Sequence, residues 1–131
     1  MPEQTLLAFD FGLKKIGVAI GNTLTGQARP LRILRSETQD ARFAQVAAVL
    51  AEWRPDCVVV GLPLTLSGEE QPASLQSRRF AHQIEGRFHL PVVLVDERGS
   101  SVEAQQRLAP REDDDAMAAA IILQRYLDRL A

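Results

Sequence analysis

The stretch Leu6-Leu7-Ala8-Phe9-Asp10-Phe11-Gly12-Leu13-Lys14-Lys15-Ile16-Gly17-Val18-Ala19-Ile20 decides the fold of this chain. Its first four residues form an unbroken apolar run of strand length, which is typical of a strand covered on both faces. Residues 16–20 predict a second strand that returns antiparallel after a turn at Gly12. Asp10 closes the first run, and a carboxylate at the edge of a dry core needs a compensating partner because an unpaired buried charge is unfavourable. An acid that merely opens a hairpin turn is the alternative explanation.

Apolar periodicity divides the rest of the chain into strands and helices. Residues 28–34 predict a third strand, and Pro30 indicates that it lies at an edge of the sheet because proline cannot donate a ladder hydrogen bond. Apolar runs at 57–60 and 91–95 predict two buried strands, and helices are predicted at 39–53, 72–88, 100–108 and 113–130. The predicted apolar face of the helix at 72–88 consists of Leu75, Phe80, Ala81 and Ile84. The predicted apolar face of the helix at 113–130 consists of Ala119, Ile122, Leu123, Tyr126 and Leu130, and Gln124 is expected on the opposite side.

The lengths of the connections predict how the strands pair. Short turns join the first three strands and indicate antiparallel pairing, whereas helical crossovers before the last two indicate parallel pairing with right-handed connections. The expected fold class is therefore α/β, with a five-stranded mixed sheet of three antiparallel and then two parallel strands and helices on both faces. Sites in such sheets form at the carboxyl ends of the parallel strands, which makes Asp10, Gly61 and Asp96-Glu97 expected neighbours.

Composition limits the classes of protein to be considered. With 131 residues, of which 46% are hydrophobic, the chain is long enough for one domain, 1–131, and too short for two. A formal net charge of −2 excludes a globally basic surface for nucleic acid, so any phosphate contact has to be local. Cys57 is the one cysteine and is expected to be a buried hydrophobe, while His82 and His89 are expected to face solvent rather than bind zinc. No segment approaches the length of a membrane span, so a cytoplasmic protein without a membrane partner is expected.

Three acidic residues stand at the edges of predicted core elements. Asp10 ends the first strand, Glu97 follows the last strand, and helical phase places Asp115 at the border of the apolar face of the last helix. Acids in a first helical turn are also favoured by the helix dipole, which is the alternative explanation for the run 113–115. Three converging carboxylates repel one another unless cations neutralise them. Their oxygens suit Mg²⁺ or Mn²⁺, and two such ions can act together in phosphodiester cleavage.

Several blocks of the sequence, taken together and in order, are similar to one known family. They lie at 8–19, 26–31, 60–64 with Gly68, 96–98, and Asp115 followed by 118–123. They resemble the YqgF-type (RuvX) proteins, described both as Holliday junction resolvases and as nucleases that process the pre-16S ribosomal RNA precursor. The resemblance covers nearly the whole chain and implies a ribonuclease H-like fold, with Asp10, Glu97 and Asp115 as metal-binding catalytic acids. It also implies structured RNA or a DNA junction as the substrate, and ribosomal precursor particles as a further partner.

Basic residues near these acids are the candidates for contacting a nucleic acid. They are Lys14 and Lys15 in the turn after the first strand, Arg98 after the last strand, and Arg78 and Arg79 at the expected rim of the cleft. Ion pairs with the carboxylates are the alternative role, because a cluster of acids recruits cations.

Two departures from the family pattern bear on activity. Gly99 stands where the family usually has a larger apolar residue, which loosens the start of the following helix. Residues 108–114 form a short, acidic segment where the family often has a longer, lysine-rich loop, and such a segment is expected to repel a phosphate backbone. This keeps open a non-catalytic scaffold associated with RNA or the ribosome.

A phosphate-loop nucleotide-binding enzyme is the second alternative, since Asp-Phe-Gly followed by lysine and glycine also resembles such loops. Those enzymes close two subdomains over a nucleotide, and 131 residues supply one. A monomer or weak homodimer is expected in either case.

Overall fold

The computed structural model describes residues 3–96 and 114–130, and within these ranges one sheet organises the chain. Its strands are β1 (Thr5–Asp10), β2 (Lys15–Asn22), β3 (Gln27–Arg35), β4 (Cys57–Leu62) and β5 (Val92–Asp96). The described helices are α1 (Gln39–Trp53), α2 (Pro72–Phe88) and α3 (Asp114–Leu130). The helix predicted at 100–108 lies outside the described residues.

The strand order is β3-β2-β1-β4-β5. The pairs β1–β2 and β2–β3 are antiparallel, whereas β1–β4 and β4–β5 are parallel. This arrangement confirms the predicted mixed sheet. Pro30 lies in β3, at the edge of the sheet, as its missing amide hydrogen requires, and the register of β3 with β2 is irregular next to it.

The two faces of the sheet are buried under different helices. On one face, side chains such as Leu7, Phe9 and Val60 pack with residues of α1 and α2. On the other face, Leu6 and Ala8 pack against α3 in a second cluster. Because side chains alternate along a strand, the continuous apolar run of β1 supplies both layers at once.

Small residues on β2 allow α3 to lie close to the sheet. Gly17, Ala19 and Gly21 occupy alternate positions of this strand and therefore share one face. A Cβ atom at Gly21 would lie 3.0 Å from Leu123 Cδ2 and 3.1 Å from Leu127 Cδ1, so the helix side chains fill the space that a larger residue would need. The sequence pattern Gly-x-Ala-x-Gly thus determines how closely α3 approaches the sheet.

The prediction that Leu75 belongs to the core face of α2 is wrong. Its side chain is 65% exposed, whereas Ser74 and Ser77 are buried. The hydroxyl of Ser74 donates to the carbonyl of Pro63 and accepts a hydrogen bond from the amide of Gln71, at 2.9 Å. Two small polar side chains thus face inward and let the helix lie close to the preceding loop, which turns Leu75 toward solvent.

Two expectations about α3 also need correction. Leu130 is 40% exposed because it is the last residue of the helix, beyond the part that the sheet covers. Gln124 does not face away from the protein. Its side-chain oxygen accepts from the amide of Ala28 at 2.9 Å, and its side-chain nitrogen donates to the carbonyl of Gly26 at 2.8 Å. The amide group therefore ties α3 to the start of β3.

Other single-residue expectations are confirmed. Cys57 is buried, and burial raises the pKa of its thiol above the ordinary value. His82 and His89 are exposed, and His89 ends α2 in a left-handed conformation. Among the described residues, no helix is long and apolar enough to cross a membrane.

Candidate active site

Asp10 stands at the carboxyl end of β1, on the face of the sheet that α3 covers. It is separated by two and four residues from Ala8 and Leu6, which pack against α3, and strand alternation therefore places its side chain on the same face. Its partner across the antiparallel ladder is Gly17 of β2. The acid is thus set beside a position that has no side chain.

Asp115 lies in the first turn of α3, directly above that glycine. A Cβ atom built at Gly17 would collide with the carbonyl group of Asp115 and would lie 2.9 Å from the amide nitrogen of Ala116. Because Asp10 is the ladder partner of Gly17, the close approach of the helix brings Asp115 to the same end and the same face of the sheet as Asp10.

Lys15 accompanies the two acids. Its Nζ lies 3.5 Å from Oδ2 of Asp115, with the two side chains 46% and 38% exposed. Lys15 is two residues before Gly17, so it shares the face on which α3 lies. An ion pair this exposed contributes little to stability, typically about 0.2–1 kcal/mol. Its consequence is local, because it places a cation beside one candidate catalytic acid.

The turn between β1 and β2 holds the second lysine in a different setting. Lys14 is exposed, and its carbonyl accepts a hydrogen bond from the amide of Ser36, at 3.2 Å. The turn is tight, since a Cβ atom at Gly12 would lie 2.6 Å from the carbonyl oxygen of Lys15. Within the described part of the chain no carboxylate lies within ion-pair distance of Lys14.

The register of the parallel strands brings the end of β5 to the same edge of the sheet. Phe9 pairs with Val60, and Leu62 pairs with Asp96, the last residue of β5. The carbonyl of Asp96 also accepts a hydrogen bond from Nη1 of Arg125, at 3.1 Å, which ties this strand end to α3. The predicted site residues Glu97 and Arg98 follow immediately and lie outside the described residues.

The predicted rim arginines lie on the other face of the sheet, on α2. The Nε of Arg78 is 2.5 Å from Oε1 of Glu70, an ion pair that occupies this guanidinium. Arg79 instead lines a groove of about 430 Å³ together with Phe11 and Leu13, which lie in the loop after Asp10. The structure therefore brings Arg79 near the loop after β1, and it does not bring either arginine to the α3 face with Asp115.

The donor atoms that the described residues bring together are carboxylate oxygens. Within residues 3–96 and 114–130 no group of three His, Cys, Asp or Glu side chains is close enough to hold a metal ion. The predicted third acid, Glu97, lies outside these ranges, so the set of three remains a prediction. Cys57 is not part of this end of the sheet, because it begins β4, while the acids lie where β1 ends.

Two residues that position the site were missed from the sequence. Gly17 is one, and its signal was the row of small residues on alternate positions of β2. Arg42 is the other. It donates from Nη2 to the carbonyl of Leu13 at 3.0 Å, and its guanidinium lies 5.2 Å from the centroid of the Phe11 ring. It thereby braces the loop that follows Asp10, and no local sequence pattern indicates this role.

A comparison with family models identifies the chain. The model described as "RuvX: Holliday junction resolvase" matches residues 4–129. The chain belongs to the RuvX family. It is 68% identical to a protein of Bordetella parapertussis named "Putative pre-16S rRNA nuclease", over 99% of this chain and 98% of that protein.

Solved structures confirm the ribonuclease H-like fold of this RuvX chain. The fowlpox virus resolvase, solved with Holliday junction DNA, is 18% identical, with a TM-score of 0.61 over 96% of this chain and 98% of that one. RuvC of Thermus thermophilus, also solved with a Holliday junction, is 20% identical, with a TM-score of 0.57 over 97% and 96% of the two chains. At sequence identities of 18% and 20%, the similarity shows a shared fold and nothing further.

Proposed function

We propose that this RuvX protein is a divalent-metal-dependent nuclease that cleaves phosphodiester bonds in structured nucleic acid, with the 5′ end of the pre-16S ribosomal RNA precursor as its substrate. The observation that carries the proposal is the position of Asp10 and Asp115, on one face and at one end of the sheet, on either side of Gly17. Family membership and the name of the Bordetella relative support the reaction class. Holliday junction resolution is the second candidate reaction, supported by the description of the family.

The chemistry of the donor set fits a hard cation. Asp10 and Asp115 supply oxygen atoms, which Mg²⁺ and Mn²⁺ prefer, and Glu97 is the proposed third ligand. When bound, such ions would supply an activated water and neutralise charge on the leaving oxygen. Gly17 would serve the site indirectly by letting the first turn of α3 reach the level of Asp10.

The basic residues would hold the phosphate backbone. Lys14 has an exposed ammonium group, and Lys15 lies beside Asp115, so both would meet a strand that approaches the acids. We propose the same role for Arg98, which follows the acid Glu97 in the sequence. We retain Arg78 and Arg79 as contacts further from the acids. Lys15 would have two roles, because its ammonium group also holds the carboxylate of Asp115 in place before the metal binds.

A cleavage assay tests the proposal. The purified chain is incubated with a precursor fragment spanning the 5′ end of 16S rRNA and, separately, with a four-way DNA junction, each with Mg²⁺, Mn²⁺ or a chelator. We expect metal-dependent cleavage that Asp10→Asn abolishes. Asp128→Asn is the matched control, because Asp128 is an exposed acid at the far end of α3.

The outcome also separates the alternative functions. Binding of the RNA fragment without cleavage under any metal condition would favour a non-catalytic RNA- or ribosome-associated scaffold. Tight binding of a nucleoside triphosphate without binding of either nucleic acid would favour a phosphate-loop enzyme. If the protein cleaves only the DNA junction, the junction and not the ribosomal RNA precursor would be the substrate.

A further inference from the structure

A groove on the α1 and α2 face of the sheet begins one residue beyond Asp10. We call it the Phe11 groove; the lining residues that matter here are Phe11, Leu13, Arg42, Leu75, Gln76 and Arg79, and its volume is about 430 Å³. It lies at the carboxyl end of β1, like the candidate active site, but on the opposite face from α3. A nucleic-acid strand with one phosphate at Asp10 would therefore reach the groove by crossing the end of the sheet.

The base of the groove is a fixed aromatic and cationic surface. The ring of Phe11 packs against Phe80, with 4.6 Å between centroids, and Arg42 lies over Phe11 at 5.2 Å. Arg42 is held by its hydrogen bond to the carbonyl of Leu13, and its buried Nε has no hydrogen-bond partner among the described residues. Arg42 is thus held in place at the base of the groove.

The described lining of the groove is positively charged. Arg42 and Arg79 both line it, and no acidic residue is among the lining residues that the structure describes. Among the described residues no carboxylate lies within ion-pair distance of either guanidinium, in contrast to Arg32, which pairs with Glu52 at 2.9 Å. Asp40 in the first turn of α1 is not among the lining residues.

The same groove presents exposed apolar surface and uncharged amides. Leu13 and Leu75 both line the groove and are 59% and 65% exposed, so they add apolar surface to it. Gln76 adds an amide that can donate and accept hydrogen bonds. Two cations without a carboxylate partner among the described residues, together with apolar and amide groups, match a ligand that carries negative charge, flat apolar faces and hydrogen-bonding edges.

We propose that the Phe11 groove binds unpaired nucleotides that flank the scissile phosphodiester bond, with Leu13 and Leu75 against the bases and Arg79 on a phosphate. Single strands are bound by positive grooves in which apolar or aromatic side chains contact exposed base faces. A continuous duplex keeps its base faces stacked inside and presents phosphates outside, so it would leave the two leucines uncovered. This inference rests on the proposed nuclease function and specifies its substrate as a junction between paired and unpaired strand.

Equilibrium binding tests the groove without any cleavage step. The wild-type chain is titrated, in the presence of a chelator, with a fluorescent unpaired RNA and with a hairpin of the same base composition. The groove variant is Leu75→Ser with Arg79→Ala. The control variant is Leu24→Ser with Arg129→Ala, which removes a 76% exposed leucine and an exposed arginine elsewhere on the surface.

We expect the groove variant to lose about tenfold in affinity for the unpaired RNA, with the hairpin affected about twofold or less and the control variant unchanged on both probes. All changed side chains are exposed, so thermal unfolding should match the wild type. Leu13→Ser is a second groove variant, and it should reproduce the loss. An unpaired DNA of the same sequence is titrated alongside. The bases of both RNA and DNA can stack on the groove, so the probe that binds with higher affinity shows whether the natural ligand is RNA or DNA.

An equal loss on hairpin and unpaired RNA would overturn the assignment to unpaired strand, and so would unchanged binding of the unpaired RNA by both groove variants. The result is separable from the nuclease proposal. If the groove variants lose affinity while the wild type never cleaves, the nuclease proposal fails and the binding site stands. If Asp10-dependent cleavage is found while the groove variants bind like the wild type, only the groove inference fails.

Discussion

The carbonyl group of Asp115 lies over Gly17 so closely that no side chain can stand between helix α3 and strand β2 at this point. Gly17 is in turn the ladder partner of Asp10. One missing side chain therefore determines how far apart the two acids lie. This relationship links the packing of the sheet to the chemistry proposed for its end.

Gly17→Ala should destabilise the protein. The added methyl group meets backbone atoms of Asp115 and Ala116, which cannot move without displacing the first turn of α3. Overpacking of this kind lowers the free energy of unfolding by about 1–3 kcal/mol. Urea denaturation measures the change, and any remaining folded protein should have lost cleavage activity.

Gly86→Ala is the matched control for that substitution. Gly86 is inside α2, and apart from its chain neighbours and the nearby backbone of this helix, no atom of the described residues lies within 4 Å of a Cβ atom built there. Alanine is a better helix former than glycine, so the free energy of unfolding should rise by about 0.5–1 kcal/mol. Equal effects of the two substitutions would contradict the close approach at Gly17.

Asp115→Asn should abolish metal-dependent cleavage and leave the fold intact. The side chain of Asp115 is 38% exposed, and its described contact is the ion pair with Lys15, so its neutralisation removes little stability. The proposed metal site would lose one of its anionic ligands. Cleavage rates over a Mn²⁺ titration, with circular dichroism for the fold, measure both effects; full activity of Asp115→Asn would exclude this acid from the site.

Neutralising the neighbouring acids should have the opposite effect on binding. Residues 112–114 carry three negative charges just before Asp115, partly offset by Arg111. Their repulsion of a phosphate backbone is screened over about 10 Å at 0.1 M salt, so it is largest in dilute buffer. Asp113→Asn with Asp114→Asn should therefore tighten nucleic-acid binding at low ionic strength. Loss of cleavage in this variant would mean that Asp113 or Asp114, and not Asp115, is the catalytic acid of the run 113–115.

Lys15→Gln should tighten metal binding and weaken nucleic-acid binding. The ammonium group 3.5 Å from Asp115 competes with a divalent cation for the same carboxylate. Removing one phosphate contact should also reduce the salt slope of RNA binding by about one. Calorimetric titration with Mn²⁺ measures the first effect. Lys14→Gln is the comparison, since it should change the salt slope and leave the affinity for Mn²⁺ unaltered.

Cys57 should react slowly with thiol reagents at neutral pH. Burial at the start of β4 raises the pKa of its thiol, and the thiolate is the reactive form. Because the folded state holds this proton more tightly than the unfolded state, any stability that it contributes is complete below the ordinary thiol pKa and declines as pH rises above it. Labelling in native buffer and in urea measures the difference; equal rates would contradict the burial.

Local patterns in the sequence determined most of the fold. The start of α2 at Pro72 and the edge position of β3 can be read from the sequence because each depends on a proline, which restricts the backbone at its own position. The apolar runs of β1 and β4 likewise predict strands buried on both faces, whatever covers them. The position of Asp10 at the end of β1 was predictable for the same reason, since a charge at the edge of an apolar run is visible in the sequence.

Only the tertiary structure decided which surfaces meet. Helical spacing placed Leu75 on the core face of α2, yet Ser74 and Ser77 face inward, and the hydroxyl of Ser74 donates to the carbonyl of Pro63 in the preceding loop. The row of small residues that includes Gly17 is visible in the sequence, but the role of Gly17 depends on a helix that begins about a hundred residues later. The spacing of apolar residues shows which face of a single helix or strand is apolar. Packing also depends on the shape of the segment that meets this face, and no local pattern contains that shape.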